Sequence, residues 1–103
     1  MDDNRDNNTC CRKKATPRSL ETQLRWQARL NKAIGQCRGI KKMIDDNRYC
    51  GDILIQIAAV EKALENLGYE ILRDHMNTCV VEEVKKGNTD IVAEAVELMK
   101  KLK

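Results

Sequence analysis

The sequence predicts an all-α fold, on the basis of its composition and its hydrophobic periodicity. Of its 103 residues, 42% are hydrophobic but only 3% are aromatic, and there are five glycines and one proline. A core built from such a sequence consists of aliphatic side chains on helices. Apolar residues spaced by three and four recur along two long stretches, which is the pattern of amphipathic helices. We therefore predict one domain: a helical hairpin followed by a short third helix.

Residues 1–15 are rich in Asp, Asn and Lys and contain almost no large apolar side chain. Such a segment buries too little apolar surface to offset the entropy lost on ordering, so we expect a disordered tail. Residues 16–103 are expected to form the folded domain. The neighbouring Cys10 and Cys11 lie in the tail, and we interpret them as an incidental pair, with an auxiliary metal or redox role as the alternative.

The first helix is predicted to begin with Thr16 as N-cap and Pro17 as first helical residue, because proline has no N–H to lose there. It is expected to end near Asp46. Its apolar positions are Leu20, Leu24, Ala28, Leu30, Ile34, Cys37, Ile40 and Ile44.

Small residues on this helix suggest close packing. Gly35 and Gly39 are four residues apart, where a neighbouring helix can approach closely. Cys37 is expected to be a small buried hydrophobe.

Positive charge is concentrated in this part of the chain. Residues 12–48 contain eleven Lys or Arg and three acidic residues, whereas the segments on either side are net negative. A concentrated basic surface favours a polyanionic partner, although many basic helix faces are merely solvated. The candidate residues for contact with such a partner are Arg18, Arg25, Arg29, Lys32 and Arg38.

The first helix is predicted to end at Asp45-Asp46-Asn47. After a short connection, the second helix is predicted to begin between Tyr49 and Asp52, with Asp52 as a candidate cap. The short connection predicts an antiparallel hairpin. Its apolar stripe is sustained over several turns and consists of Ile53, Ile57, Val60, Leu64, Leu67 and Ile71.

The third helix follows Gly87, which is expected to end the preceding helix, and Asn88 is the candidate N-cap. One face carries Ile91, Ala95, Leu98 and Leu102. These helices cannot enclose a core alone, so we predict that two copies form an antiparallel four-helix bundle.

The five cysteines are an odd number, and the sequence shows neither an export signal nor a membrane-spanning apolar segment. We therefore expect reduced thiols, a cytoplasmic protein and no membrane association.

Cys50, His75 and Cys79 are the candidate metal ligands. Cys50 and His75 are about 37 Å apart along one straight helix, whereas His75 and Cys79 share a helical face. A site with all three therefore requires a second, antiparallel copy. Two thiolates and one imidazole suit Cu(I) better than structural zinc, which usually takes four protein ligands. The spacing alone leaves ordinary packing, or a lone reactive thiol at Cys50, as alternatives.

Four separated segments resemble the copper-sensing operon repressor (CsoR) family. They are RLNKAIGQCRGI at 29–40, DNRYCGDIL at 46–54, QIAAV at 56–60 and DHM at 74–76. The resemblance implies a non-enzymatic, all-helical DNA-binding repressor that forms dimers or tetramers and binds double-stranded operator DNA when metal-free. With that implication, we predict that the basic side chains named above contact DNA phosphates. It implies Cu(I) bound by Cys50 of one subunit and by His75 and Cys79 of another, after which the DNA is released. It also implies that Tyr49 and Glu94, the latter aligned through a one-residue gap, connect the metal to this release.

Related branches of the superfamily match less well. Nickel and cobalt sensors use additional histidines, and this chain has a single His. Persulfide sensors carry Cys at the position of His75, and formaldehyde sensors lack the thiol of Cys79. A thiol-based persulfide or aldehyde sensor and a copper buffer without DNA function remain alternatives. A thiol enzyme with Cys50 as nucleophile and His75 as base is a further one.

Overall fold

The computed structural model describes residues 18–102, which contain helices and turns and no β-strand. The predicted all-α fold class is confirmed. The helical elements are α1 (Leu20–Asp45), α2 (Cys50–His75), a π-helical turn (Met76–Val80), α3 (Val81–Lys85) and α4 (Asp90–Lys100).

Helix α1 begins later than predicted. Ser19 is its N-cap, and the Ser19 hydroxyl accepts a hydrogen bond of 3.1 Å from the backbone N–H of Thr22. The predicted start at Pro17 is therefore wrong. The N-cap is Ser19, two residues after Pro17, and its hydroxyl satisfies one of the free N–H groups of the first turn. Thr16 and Pro17 themselves lie outside the described residues, as do Cys10, Cys11 and the rest of the tail.

The connection between α1 and α2 is four residues long, as the predicted hairpin requires. Asn47 has a positive φ of 55°, and its N–H donates to the carbonyl of Ile44 at 3.1 Å. The N–H of Arg48 donates to the carbonyl of Met43 at 2.9 Å. This is a Schellman ending, in which a left-handed residue lets the last carbonyls of a helix be satisfied. Asp52 does not cap α2; it lies in the first turn and pairs with Arg48 at 3.9 Å.

The chain forms two compact units, of which one comprises Ser19–Gly68. Within it, Ala33 and Val60 are buried, and the less exposed face of α1 comprises Thr22, Trp26, Ala33, Gln36, Ile40 and Met43. Of the predicted apolar positions on α1 only Ile40 is half-buried; the others are exposed. The polar Thr22 and Gln36 share the covered face with Trp26, a residue that an aliphatic pattern does not find.

The other unit extends from Tyr69 to the end of the described chain and contains a small apolar core. Val80, Ile91 and Ala95 are buried there, and Met76 packs against them. The predicted apolar stripe of α2 contributes little to this core, since its last residue, Ile71, is 36% exposed. Leu67, which is only 8% exposed, belongs to the first unit instead. Tertiary packing in this unit therefore centres on the π turn and α4.

A second Schellman ending joins α3 to α4. Gly87 has a φ of 92°, which confirms it as the residue that ends the helix. Asn88 is not the N-cap of α4, because Thr89 occupies that position. The side-chain amide of Asn88 instead donates a 2.8 Å hydrogen bond to Oε1 of Glu83, a residue only 9% exposed.

Two expectations about small residues in α1 are wrong for the single chain. Cys37 is exposed rather than buried. A Cβ atom built at Gly35 or at Gly39 meets nothing within 4 Å, so no neighbouring helix among residues 18–102 approaches them. Among residues 18–102 no helix is both long and apolar enough to span a membrane.

Candidate metal centre

Cys50 is the first residue of α2 and carries a free, exposed thiol. The carbonyl of Tyr49 accepts the N–H groups of Asp52 and Ile53 at 3.0 and 3.2 Å, which anchors the first turn. The Tyr49 side chain is 75% exposed and its ring leans over Gly51, where a Cβ atom would lie 3.0 Å from Cζ. A glycine at this position is what lets the ring lie there.

His75 is the last α-helical residue of α2 and is half-buried, with its Nε2 atom shielded from solvent. Cys79, four residues further on, carries a thiol that is not in a disulfide, and the residue is 3% exposed. The predicted shared α-helical face is modified here, because Met76–Val80 is a π turn rather than α-helix. A π turn changes the angle between residues four apart in sequence.

The three candidate ligands are not brought together within one chain. In residues 18–102 no group of three or more His, Cys, Asp or Glu side chains is placed to hold a metal ion. Cys50 and His75 are the first and last residues of a 26-residue helix, which is about 39 Å long. The donor set of two sulfurs and one imidazole nitrogen nevertheless fits a soft metal ion, since thiolates are the ligands such ions prefer.

Glu94, the remaining residue of the predicted site, lies on α4 and is half-buried. The adjacent Ala95 is 1% exposed and belongs to the core that Val80 and Ile91 also form. That core packs the turn of helix after His75 against α4. Glu94 therefore lies next to a core residue, in the same unit as His75 and Cys79.

The basic side chains lie where a polyanion can reach them. Four of the predicted DNA contacts lie on α1 and are exposed: Arg25, Arg29, Lys32 and Arg38. Arg18, which precedes the helix, is exposed as well. At the end of α1, Arg38, Lys41 and Lys42 line one side of an open depression. Lys42 is partly neutralised there by Asp46, at 3.5 Å.

Two residues with a structural role near these ligands were missed by sequence reasoning. Gly51 leaves the room that the Tyr49 ring occupies. Thr78, inside the π turn, donates a 2.8 Å hydrogen bond from its hydroxyl to the carbonyl of Asp74. A Gly after a Cys gives no periodic signal, and a five-residue π turn is too short to show in hydrophobic spacing.

Comparison with known proteins shows similarity over most of the chain. Residues 22–101 match the family model described as metal-sensitive transcriptional repressor. The copper-sensing transcriptional repressor CsoR of Bacillus subtilis is 40% identical over 74 residues, which are 71% of this chain and 73% of that protein. The copper-sensing transcriptional repressor RicR of Mycobacterium tuberculosis is 42% identical over 62 residues, 60% of this chain and 65% of that protein.

Solved structures agree. A crystal structure of the copper-sensing repressor CsoR with Cu(I) from Geobacillus thermodenitrificans superposes with a TM-score of 0.79 and 38% identity, covering 84% of this chain and 91% of that one. The nickel-responsive transcriptional regulator InrS superposes with a TM-score of 0.69 and 35% identity, covering 87% and 99% of the two chains.

Proposed function

This chain belongs to the metal-sensitive transcriptional repressor family, and we propose that it represses transcription by binding operator DNA when metal-free and releasing it when Cu(I) binds. The observation that carries this proposal is the placement of Cys50 at the start of α2 and of His75 and Cys79 at and just beyond its end. The copper-sensing relatives support the choice of metal. Protection of the cell against excess copper, through derepression of copper-resistance genes, is the biological role that follows.

Copper is preferred over nickel because of the donor set. Cu(I) is soft and takes thiolates in low coordination numbers, whereas imidazole-rich or square-planar sites suit Ni(II). This chain contains a single histidine, His75. The similarity to a nickel-responsive regulator therefore supports the shared fold and not a shared metal.

Each copper site is proposed to combine two subunits. Cys50 of one subunit supplies one thiolate, and His75 and Cys79 of the partner subunit supply the imidazole and the second thiolate. Cys50 and His75 lie at opposite ends of α2. They can meet if two α2 helices run antiparallel, because the start of one then lies beside the end of the other. Exposed apolar side chains on α1 and α2 give such a pair an area to bury, among them Leu30, Ile34, Leu54 and Ile55.

DNA binding is assigned to the basic side chains. Arg18, Arg25, Arg29, Lys32 and Arg38 are proposed to contact phosphates, with one or two arginines reading base edges. Aromatic residues are only 3% of the sequence, so base stacking contributes little and affinity should fall steeply with salt.

Release requires that metal binding favour a conformation with weaker DNA affinity, and the coupling is reciprocal. Cys50 of one subunit and His75 and Cys79 of the other would hold Cu(I), and the coordination that the metal would supply when bound would tie the two subunits together. Tyr49 moves with Cys50, since it precedes it and anchors the first turn of α2. Glu94 is the neighbour in sequence of Ala95, a member of the core that Met76 and Val80 of the π turn join. We assign these two side chains the link between the ligands and α1.

The same proposal covers the remaining properties of the chain. We assign sensing and DNA binding to a domain of residues 16–103, apart from residues 1–15. The protein acts in the cytoplasm as a dimer or tetramer and catalyses no reaction.

Subunit complementation tests the two-subunit site. Cys50→Ala and Cys79→Ala homodimers each lack one thiolate in both sites and should lose tight Cu(I) binding. A mixed dimer of the two variants regains one intact site, formed by Cys50 of one chain and the His75–Cys79 pair of the other. We expect one Cu(I) per mixed dimer. No binding in the mixed dimer, with the single variants inactive, would place all ligands in one chain and refute the proposal.

A further inference from the structure

The helical turn between His75 and Cys79 is held in an unusual conformation. Met76–Val80 forms a π turn between two α-helical segments, and the helical path continues into α3 without interruption. Within the turn, the hydroxyl of Thr78 donates to the backbone carbonyl of Asp74 at 2.8 Å, and this contact is partly buried. A side chain of the turn is thus bonded to the backbone of the α-helix that precedes it.

The hydroxyl contact favours the π turn physically. In an α-helix the carbonyl of residue i accepts from the N–H of residue i+4, whereas a π turn shifts this to i+5. A Thr hydroxyl that bonds the carbonyl four residues earlier competes with the α-helical pattern and loosens it locally. The Thr78 bond therefore lowers the free energy of the π turn relative to regular α-helix.

The π turn determines where the next two side chains lie. Cys79 is 3% exposed, and Val80 is 6% exposed in the core with Ile91. Return to an α-helix would rotate Cys79 relative to His75 and draw Val80 away from its core partners. We infer that Thr78 is a positioning residue, whose hydroxyl sets Cys79 at the angle to His75 that the shared metal site needs. The inference rests on the proposed function for the identity of the ligands, and on the geometry alone for the turn.

The first test uses the metal-free protein. Thr78→Val removes the hydroxyl and keeps the side-chain shape, and Thr78→Ser keeps the hydroxyl. Thr89→Val is the matched control, because Thr89 makes no side-chain cap hydrogen bond. The alkylation rate of Cys79 is measured by peptide mass spectrometry, which separates it from the other thiols. We expect Thr78→Val to raise that rate about fivefold, the factor corresponding to one ordinary hydrogen bond. Thr78→Ser and Thr89→Val should match the unmodified protein.

In the alkylation test, two results would overturn the inference. One is an unchanged Cys79 rate in Thr78→Val; the other is a Thr78→Ser rate as high as that of Thr78→Val. Thr78→Ala serves as a second hydroxyl-free variant, and thermal unfolding of every variant is followed by circular dichroism. Should Thr78→Val unfold, Thr78→Ala decides the outcome, with the same expected rise of about fivefold.

A second readout separates this inference from the proposed function. X-ray absorption at the copper edge reports nitrogen and sulfur ligands; we expect Thr78→Val to weaken Cu(I) binding about fivefold and to reduce the nitrogen contribution. If the unmodified protein shows no copper bound by these ligands, the proposed function fails, while the alkylation rates still decide whether Thr78 holds the turn. If copper binds equally in Thr78→Val and Thr89→Val, the positioning role fails and the proposed function stands.

Discussion

Gly51→Ala should move the Tyr49 ring without lowering the stability of the protein, so that the role of the ring position can be tested by itself. A Cβ atom at residue 51 would approach the ring to 3.0 Å at Cζ and 3.2 Å at Cδ2, and closer still at Cε2. These distances are shorter than ordinary van der Waals contact, so the ring has to move. Because Tyr49 is 75% exposed, it can swing into solvent and lose little buried area.

The expected free-energy change of unfolding is therefore small and of favourable sign. Alanine is better than glycine in a helix by about 0.5–1 kcal/mol, and the displaced ring offsets part of this gain. Thermal unfolding should occur at an unchanged or slightly higher temperature. If Tyr49 transmits metal binding to the DNA interface, however, the ratio of DNA affinities without and with Cu(I) should fall, although Cys50 still binds the metal.

The assay is fluorescence anisotropy of labelled operator DNA, titrated with protein in the absence and presence of saturating Cu(I). Tyr49→Phe is the companion variant: it keeps the ring over Gly51 and removes only the hydroxyl. Gly39→Ala is the control, since its Cβ would meet nothing within 4 Å among the described residues. A Gly51→Ala protein with undiminished copper-dependent release would refute the link through the ring position. A large loss of stability would refute the reasoning about the ring's freedom.

Three further predictions concern the ligand set, the DNA contacts and the α3–α4 connection. His75→Ala should retain substantial Cu(I) affinity through the two thiolates but lose much of the copper-dependent release; equal release would contradict the role of the imidazole. Arg29→Ala should lower the slope of log affinity against log salt by about 1. Lys62→Ala, which changes an exposed residue of α2, should leave that slope unchanged. Glu83→Ala should destabilise the fold by about 1–3 kcal/mol in urea unfolding, because the Asn88 amide loses its 2.8 Å partner; an unchanged midpoint would show that the contact contributes nothing.

The sequence predicts the helices well because their signals are local. Asn47 and Gly87 end α1 and α3 where a left-handed residue is needed, and both residue types are common helix terminators. The N-cap was missed because Pro17 is an equally good start signal, and only the observed hydroxyl contact of Ser19 distinguishes the two. For α4, Asn88 is a residue type that often caps helices, but it does not cap this one because its side-chain amide donates a hydrogen bond to Glu83.

The covered face of α1 could not be predicted from apolar spacing. Leu20, Leu24 and Ile44 are 68%, 55% and 59% exposed, whereas Trp26 and Gln36 lie on the less exposed side. Apolar residues that face a second copy are indistinguishable in sequence from those that face the same chain. Under the proposed pairing of two copies, periodicity therefore reports the sum of two interfaces.

The set of candidate ligands, Cys50, His75 and Cys79, stays a prediction. The resemblance to the CsoR family singled them out, because spacing alone left ordinary packing or a lone reactive thiol as alternatives in a chain with one histidine and five cysteines. The π turn between His75 and Cys79 contains the Thr78 hydroxyl contact and is followed by packing of Val80 with residues of α4, and neither feature is encoded in local spacing.

The most direct test of the central claim is an anaerobic Cu(I) titration of the reduced protein bound to a labelled fragment of its own upstream DNA, followed by anisotropy. Release at about one Cu(I) per subunit, lost in Cys50→Ala, is the result that a copper-responsive repressor with a two-subunit site predicts. Tight DNA binding that does not respond to Cu(I) would contradict the account and shift the inducer to sulfur or aldehyde chemistry at Cys50.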